Sequence, residues 1–146
     1  LIFNYLPWYL ELLSNAGKPT AEPGFEVSAT GSPVLMTPGG KARACFSVRN
    51  RGPAAVTDLR VSFQPRLDFS AVALAAAPAE IPPGGTVELC YDIQAPQAIN
   101  LTCEYNRIAY GHWSATYRRQ GAPHVAHSWV RMELRHSRPA RANASQ

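Results

Sequence analysis

Apolar and polar side chains alternate along three stretches in the middle of the chain, which is the pattern of a half-buried β-strand. From Lys41 to Arg49 every second residue is apolar, and the same holds from Leu59 to Phe63 and from Val87 to Ile93. Since successive side chains on a strand point to opposite faces, each stretch places one apolar row toward a core. The pattern predicts a core that contains Phe46, Val48, Leu59, Val61, Val87, Leu89, Tyr91 and Ile93.

Turn-forming residues separate these stretches at intervals of about ten residues, as in sandwiches of short antiparallel strands. Asn50-Arg51-Gly52-Pro53 and Pro82-Pro83-Gly84-Gly85 are the strongest of these turn signals. The composition agrees, because 13 Pro and 10 Gly accompany only 16% charged residues. We therefore predict an all-β, immunoglobulin-like antiparallel β-sandwich of about 7–8 strands over residues 25–134, preceded by a short N-terminal helical segment.

Two motifs within residues 25–95 resemble those of bacterial and archaeal immunoglobulin-like modules of the CARDB and NEW3-like type. FSVRNRGPAAVTDLRVSF resembles the strand, N-x-G turn and strand of those modules, and IPPGGTVELCYDIQAP resembles their turn and strand ending in Ala-Pro. The resemblance implies a spacer, adhesion element or assembly unit that works outside the cytoplasm and has no catalytic residues. The last part of the chain, residues 105–146, has no counterpart in that family.

The first 17 residues are apolar and aromatic and carry one charge, Glu11. Their proline and glycine positions predict a short helix over 7–15, and residues 18–24 have the composition of a linker. So large an apolar patch predicts a segment that docks on a membrane surface or on another subunit, with packing against its own sandwich as the alternative. The residues predicted to dock are Leu1, Ile2, Phe3, Tyr5, Leu6, Trp8, Tyr9, Leu12 and Leu13.

Positive charge is concentrated near the end of the chain. Residues 106–146 contain seven Arg and one acidic residue, Glu133, so this part carries a net charge of +6. A basic region of this kind predicts an anionic partner, and a solvated tail over 135–146 is the alternative. The arginines predicted to contact the anionic partner are Arg118, Arg119, Arg131, Arg135, Arg138 and Arg141.

The three cysteines, Cys45, Cys90 and Cys103, permit one disulfide and one free thiol. Export favours oxidation, and proximity in sequence favours a bond between Cys90 and Cys103. A bond between Cys45 and Cys90 is the alternative, because both side chains point outward from strands that adjoin in an immunoglobulin-like sheet.

Catalytic and metal chemistry find little support in the spacing of the remaining residues. Ser114 and Ser128 lie near histidines in sequence, but no nucleophile-elbow motif is present. On a strand, His124 and His127 point to opposite faces, so they do not form a pair of metal ligands. Arginines and aromatic residues between 105 and 131 are expected in the core and at strand edges rather than stacked on nucleic-acid bases. No cofactor is predicted.

Together these patterns predict a non-catalytic, extracytoplasmic structural or assembly module, held at a membrane or in a larger complex by its apolar N-terminus. Its expected partners are other protein subunits and a membrane surface, and nucleic acid is not expected among them. Two alternatives stay open. One is a subunit of an extracellular filament or pilus that lends a strand to its neighbour. The other is a copper-type metal-binding sandwich.

Overall fold

A computed structural model describes residues 23–66, 68–99, 101 and 107–135. The predicted docking segment 1–17, its helix, most of the linker, Cys103 and the tail with Arg138 and Arg141 lie outside the described residues. Among the described residues no helix has the length and apolar character needed to cross a bilayer.

Eight strands form, and three of them contain the alternating stretches at 41–49, 59–63 and 87–93. In chain order they are β1 (Phe25–Thr30), β2 (Val34–Met36), β3 (Lys41–Asn50), β4 (Val56–Gln64), β5 (Ser70–Ala73), β6 (Thr86–Gln94), β7 (Ile108–Arg119) and β8 (Ala122–Leu134). They build two four-stranded sheets, with the orders β1-β3-β6-β5 and β2-β8-β7-β4. This is the A-B-E-D and G-F-C arrangement of immunoglobulin domains, with β2 added beside the last strand. The predicted all-β sandwich is confirmed.

One strand pair departs from the predicted antiparallel arrangement. Strand β2 runs parallel to β8, with Val34 opposite Met132 and Met36 opposite Leu134. The chain crosses from one sheet to the other between β1 and β2, so both strands run in the same direction but join different sheets. Val34 and Met36 point into the core, and Leu35 faces outward.

The apolar rows of the two sheets meet in one core. Phe46, Val48, Leu59, Leu89, Tyr91 and Ile93 are buried, and Val61 and Val87 are partly buried against them, so the predicted register is correct. Trp113 of β7 is fully buried and stacks on Phe46 with 5.7 Å between ring centroids. Phe25 stacks on Tyr117 at 4.2 Å and joins the two sheets at the end where β1 begins.

The disulfide prediction is wrong, because Cys45 bonds to Cys90 rather than to Cys103. Strands β3 and β6 are neighbours, and their register sets Cys45 directly opposite Cys90 on the outward face. Strand pairing therefore brings these two thiols together, whereas nearness in sequence alone, as between Cys90 and Cys103, does not. The bond indicates that the domain folds in an oxidising, extracytoplasmic environment.

A fully buried asparagine holds one end of the sandwich together. The side-chain amide of Asn50 donates to the carbonyls of Ala54 and Ile81, both at 3.0 Å. Its Oδ1 accepts from the Gly52 amide at 3.0 Å and from Arg119 Nη1 at 2.8 Å. A side chain at position 52 would overlap the Arg119 guanidinium and displace it from Asn50. The N-x-G motif thus joins the two sheets through the hydrogen bonds of the Asn50 side chain to Gly52, Ala54, Ile81 and Arg119. We call this set of hydrogen bonds the buried bracket.

The chain enters and leaves the sandwich at opposite ends. Phe25 pairs with Asn50, and the buried bracket places both beside Arg119 and the start of β8. Strand β8 then runs 13 residues, or about 40 Å, to Leu134 at the far end.

The hairpin between β7 and β8 contains a strained residue. Arg119 pairs with Ala122, so Gln120 and Gly121 form a two-residue turn with φ of 52° and 81°. Both values are left-handed, as a type I′ turn requires, and only glycine adopts them without cost. We expect Gln120→Gly to raise the free energy of unfolding by about 0.5–1 kcal/mol in urea denaturation. Gln120→Ala keeps the strain and is the control, and equal effects of the two variants would contradict the argument.

Candidate functional site

The two outer faces of the sandwich differ in chemistry. The β1-β3-β6-β5 sheet carries two exposed ion pairs, since Arg43 Nε lies 3.0 Å from Asp92 Oδ1 and Arg51 Nη1 lies 3.0 Å from Glu26 Oε2. These side chains are about half exposed, so this is an ordinary solvated face on which such pairs contribute little to stability. We call it the ion-paired face.

The outer face of the β2-β8-β7-β4 sheet is apolar and aromatic. Four of the six exposed large hydrophobic residues among the described residues lie on it, namely Leu35, Ile108, Tyr110 and Val125. Trp129, His112, His127 and Arg131 point outward from the same strands. We call the surface made by these eight residues the aromatic face. A sheet face of this composition is unusual for a surface in contact with water alone.

Three adjoining rings form the centre of the aromatic face, with His112 stacked on Trp129 and edge to edge with His127. The His112 ring lies 4.1 Å from the Trp129 ring and 5.0 Å from the His127 ring, measured between centroids, with interplanar angles of 20° and 14°. Although His112 points outward, only 8% of it is exposed, because Trp129 and His127 cover it. The contact therefore fixes the Trp129 indole against the His112 ring.

A hydrogen bond fixes the two imidazoles relative to each other. His112 Nε2 and His127 Nδ1 are 2.8 Å apart, so one nitrogen donates and the other accepts. Two doubly protonated rings would direct two N–H groups at each other, and this contact admits one proton between them. Beside the rings, Ser62 Oγ and Ser114 Oγ lie 3.3 Å apart, where either hydroxyl can donate.

The predicted basic site is divided between the two ends of β7 and β8. Arg118 lies at the turn, where Nη1 donates to the Gly121 carbonyl and Nε is 3.7 Å from Asp58. Arg131 and Arg135 lie at the other end, paired with Glu133 at 3.2 and 3.3 Å. Arg118 and Arg131 occupy ladder positions eight residues apart, which corresponds to about 27 Å. These described arginines do not form one patch.

Arg119 has a different position from the other predicted arginines. Its side chain points inward, and Nη1 donates to Asn50 Oδ1 and to the Ala54 carbonyl at 2.8 and 2.7 Å. Nη1 of Arg119 is therefore part of the buried bracket.

The aromatic residues considered for base stacking are separated by the sheet. Trp113 and Tyr117 point into the core, whereas Tyr110 and Trp129 point outward. Their division follows the alternation of side chains along β7 and β8. The result is a core cluster on one side and the aromatic face on the other, rather than a continuous row of rings.

Metal-ligating side chains come together once among the described residues. Cys45, Glu88 and Cys90 place one ligand atom each within 4.8 Å of one another, but both sulfurs belong to the disulfide. The third cysteine, Cys103, lies outside the described residues.

Sequence reasoning missed the ring stack because it treated the histidines by their spacing along one strand. His112 and Trp129 are 17 positions apart, yet they pair directly across the hairpin. The two-residue turn at Gln120 and Gly121 fixes that register, since residues counted equally from the turn lie opposite each other. That turn was the signal from which the cluster was predictable.

Comparison with known proteins gives a fold and no family. No protein-family model and no curated protein matches the chain. Among solved structures, the GAE domain of GGA2p from Saccharomyces cerevisiae is similar with a TM-score of 0.56 and 10% identity, covering 75% of this chain and 90% of that one. The FixG-related protein from Vibrio parahaemolyticus is similar with a TM-score of 0.51 and 12% identity, covering 78% of this chain and 99% of that one.

A third likeness involves a larger protein. The VesB protease of Vibrio cholerae has a TM-score of 0.56 and 15% identity, and the match covers 88% of this chain but 35% of the protease. At these identities the likeness extends to the architecture alone. What the chain shares with these structures is the two-sheet β-sandwich.

Proposed function

We propose that this domain is a non-catalytic, extracytoplasmic assembly module that binds another protein subunit through its aromatic face. The observation that carries the proposal is the contrast between the two outer faces. One face carries the exposed ion pairs Arg43–Asp92 and Arg51–Glu26, and the other exposes Leu35, Ile108, Tyr110 and Val125 on the same face as the Trp129 indole. The disulfide supports the extracytoplasmic setting.

The chemistry of the aromatic face fits a protein partner. Tryptophan, tyrosine and arginine are the residues that most often dominate the energy of protein interfaces, and Trp129, Tyr110 and Arg131 occur together here. Trp129 is already held by His112, so binding costs little side-chain entropy. A partner surface with apolar side chains at its centre and an acidic group near Arg131 complements this face.

Replacement of Trp129 tests the proposal. We expect Trp129→Ala to weaken binding to the partner by about 2 kcal/mol, or about thirtyfold, because a central indole is removed. The fold should lose only about 0.5–1.5 kcal/mol from the lost ring stacking, which thermal unfolding measures. Ser28→Ala on the ion-paired face is the matched control and should leave binding unchanged.

The partner is found by site-specific photo-crosslinking in the cells that export the protein. A photoreactive amino acid at Tyr110 should give one protein adduct, and Trp129→Ala should abolish it. The same probe at Ser28 should give none. Equal adducts from both positions, adducts to lipid alone, or no adduct at Tyr110 would contradict the proposal.

A further inference from the structure

The edge of β4 is covered along only part of its length. After β5 the chain crosses to the other sheet, where the Leu59 amide donates to the Ala79 carbonyl at 3.0 Å and Val56 exchanges two hydrogen bonds with Ile81 at 2.9 Å. Residues 79–81 therefore cover the first half of the β4 edge. Among the described residues, no backbone hydrogen bond continues this pairing from Arg60 to Gln64.

Within the described ranges, no strand pairs with the second half of the β4 edge. The Leu59 amide points away from β7, and backbone directions alternate along a strand, so the N–H and C=O groups of Val61 and Phe63 point the same way. Among the described residues, no backbone hydrogen bond outside the sheet ladders involves either residue. An edge of this kind is a template for another strand.

An apolar groove adjoins this edge between the two sheets. It has a volume of about 430 Å³, and Leu59, Val61, Leu89 and Tyr91 contribute large apolar side chains to its lining. The lining from β5 and the loop after it consists of small side chains, Ala73, Ala75, Ala76 and Ala77. Burial raises the pKa of the Tyr91 phenol, so this ring is neutral across the physiological range. The groove offers apolar contact and room for large side chains, with a row of hydrogen-bonding groups along one rim.

We infer that the edge of β4 from Arg60 to Gln64 accepts an extended strand of a partner polypeptide, with alternate apolar side chains in the groove. Variable-type immunoglobulin domains carry an additional strand at the corresponding edge of this sheet, so the architecture accommodates one there. The backbone amides of β4 favour a polypeptide over an alkyl chain, because a hydrocarbon can fill the apolar groove but cannot hydrogen-bond to the strand edge. Strand addition of this type takes affinity from the main chain and specificity from alternate side chains.

A short synthetic peptide in which valine and threonine alternate is the probe. We expect it to bind the folded domain and to shift the backbone amide NMR signals of Val61, Phe63 and Ala73. The same peptide with N-methyl groups on alternate residues keeps its apolar side chains but cannot donate to the edge, and we expect no binding. Dodecanoate, an alkyl chain without amides, should not bind either.

Substitutions on β5 provide the matched test on the protein. Ala73→Asp places a charge in the groove and should weaken peptide binding by about tenfold or more. Val72→Asp lies on the same strand but on the outer face, and it should leave binding unchanged. Trp129→Ala should also leave binding unchanged, so failure here and failure of the aromatic-face proposal are distinguishable.

Three results would overturn the inference. One is the absence of amide shifts at millimolar peptide. The second is equal binding of the N-methylated peptide or of dodecanoate, which would make the groove an apolar pocket without strand recognition. The third is an equal loss of binding from Ala73→Asp and Val72→Asp.

Discussion

Replacing both Cys45 and Cys90 with alanine is expected to lower the free energy of unfolding by about 2–4 kcal/mol. The disulfide closes a loop with a sequence separation of 45 residues, which links β3 to β6 across three turns and two other strands. Without it, the unfolded chain gains the conformational freedom of that loop. Urea denaturation with and without a reducing agent measures the difference, and the reduced wild-type protein should match the double variant.

Cys103→Ser is the control for the disulfide prediction. Because Cys45 and Cys90 bond to each other, this substitution should leave both the disulfide and the stability unchanged. Mass spectrometry of non-reduced peptides identifies the pair directly. A Cys90–Cys103 peptide, or a loss of stability in Cys103→Ser equal to that of the double variant, would contradict the structure.

Replacing Asn50 with alanine is expected to lower the free energy of unfolding by about 2–4 kcal/mol. The asparagine makes four hydrogen bonds in a fully buried position, and its loss removes an acceptor from the Gly52 amide and from the Arg119 guanidinium. Buried donors without acceptors carry their full desolvation cost, and a charged donor carries more. A shift of the urea midpoint at unchanged slope is the measurement.

The matched control lies one residue further along the turn. Arg51→Ala removes a half-exposed ion pair with Glu26 and should cost less than about 1 kcal/mol. In a double-mutant cycle, Asn50→Ala and Arg119→Ala should be non-additive by about 1 kcal/mol or more, since both remove the same contact. Additive effects would show that Asn50 acts through packing alone.

Alternation predicted the core because burial on one face of a strand is a local property. Phe46, Leu89 and Tyr91 each follow from the two-residue period of their own strand, and no knowledge of the neighbouring strand is required. The turns at Asn50 and Gly84 were visible for the same reason. Strand count and fold class follow from these local signals.

Pairing between strands joins residues that are far apart in the chain. Most of the structural features that the sequence did not predict depend on such pairing. The parallel contact between β2 and β8 joins residues about 100 positions apart, Val34 and Met132. The disulfide likewise depends on β3 and β6 being neighbours, which sequence distance does not encode. Asn50 was recognised as a turn residue, but its bonds to Ile81 and Arg119 depend on the packed sandwich.

The candidate sites follow the same division. His127 and Trp129 belong to one strand and their outward direction was predictable, whereas their contact with His112 requires the hairpin register. The groove beside β4 forms because residues 75–81 cross from one sheet to the other, and no pattern in the sequence predicts that crossing. The docking segment 1–17 stays a prediction, since it lies outside the described residues.

Entry and exit of the chain at opposite ends of the sandwich determine how the domain bears mechanical load. Tension applied through Phe25 and Leu134 acts along the strand axes, and the ladder hydrogen bonds lie perpendicular to it. Strand β1 must slide past β3 with its six register pairs loaded simultaneously, rather than peel away one pair at a time. If β1 and β8 detach under load, the Cys45–Cys90 bond still prevents the segment between the two cysteines from extending. We therefore expect the domain to resist shear. After it opens, we expect it to extend by less than the full contour length of its chain.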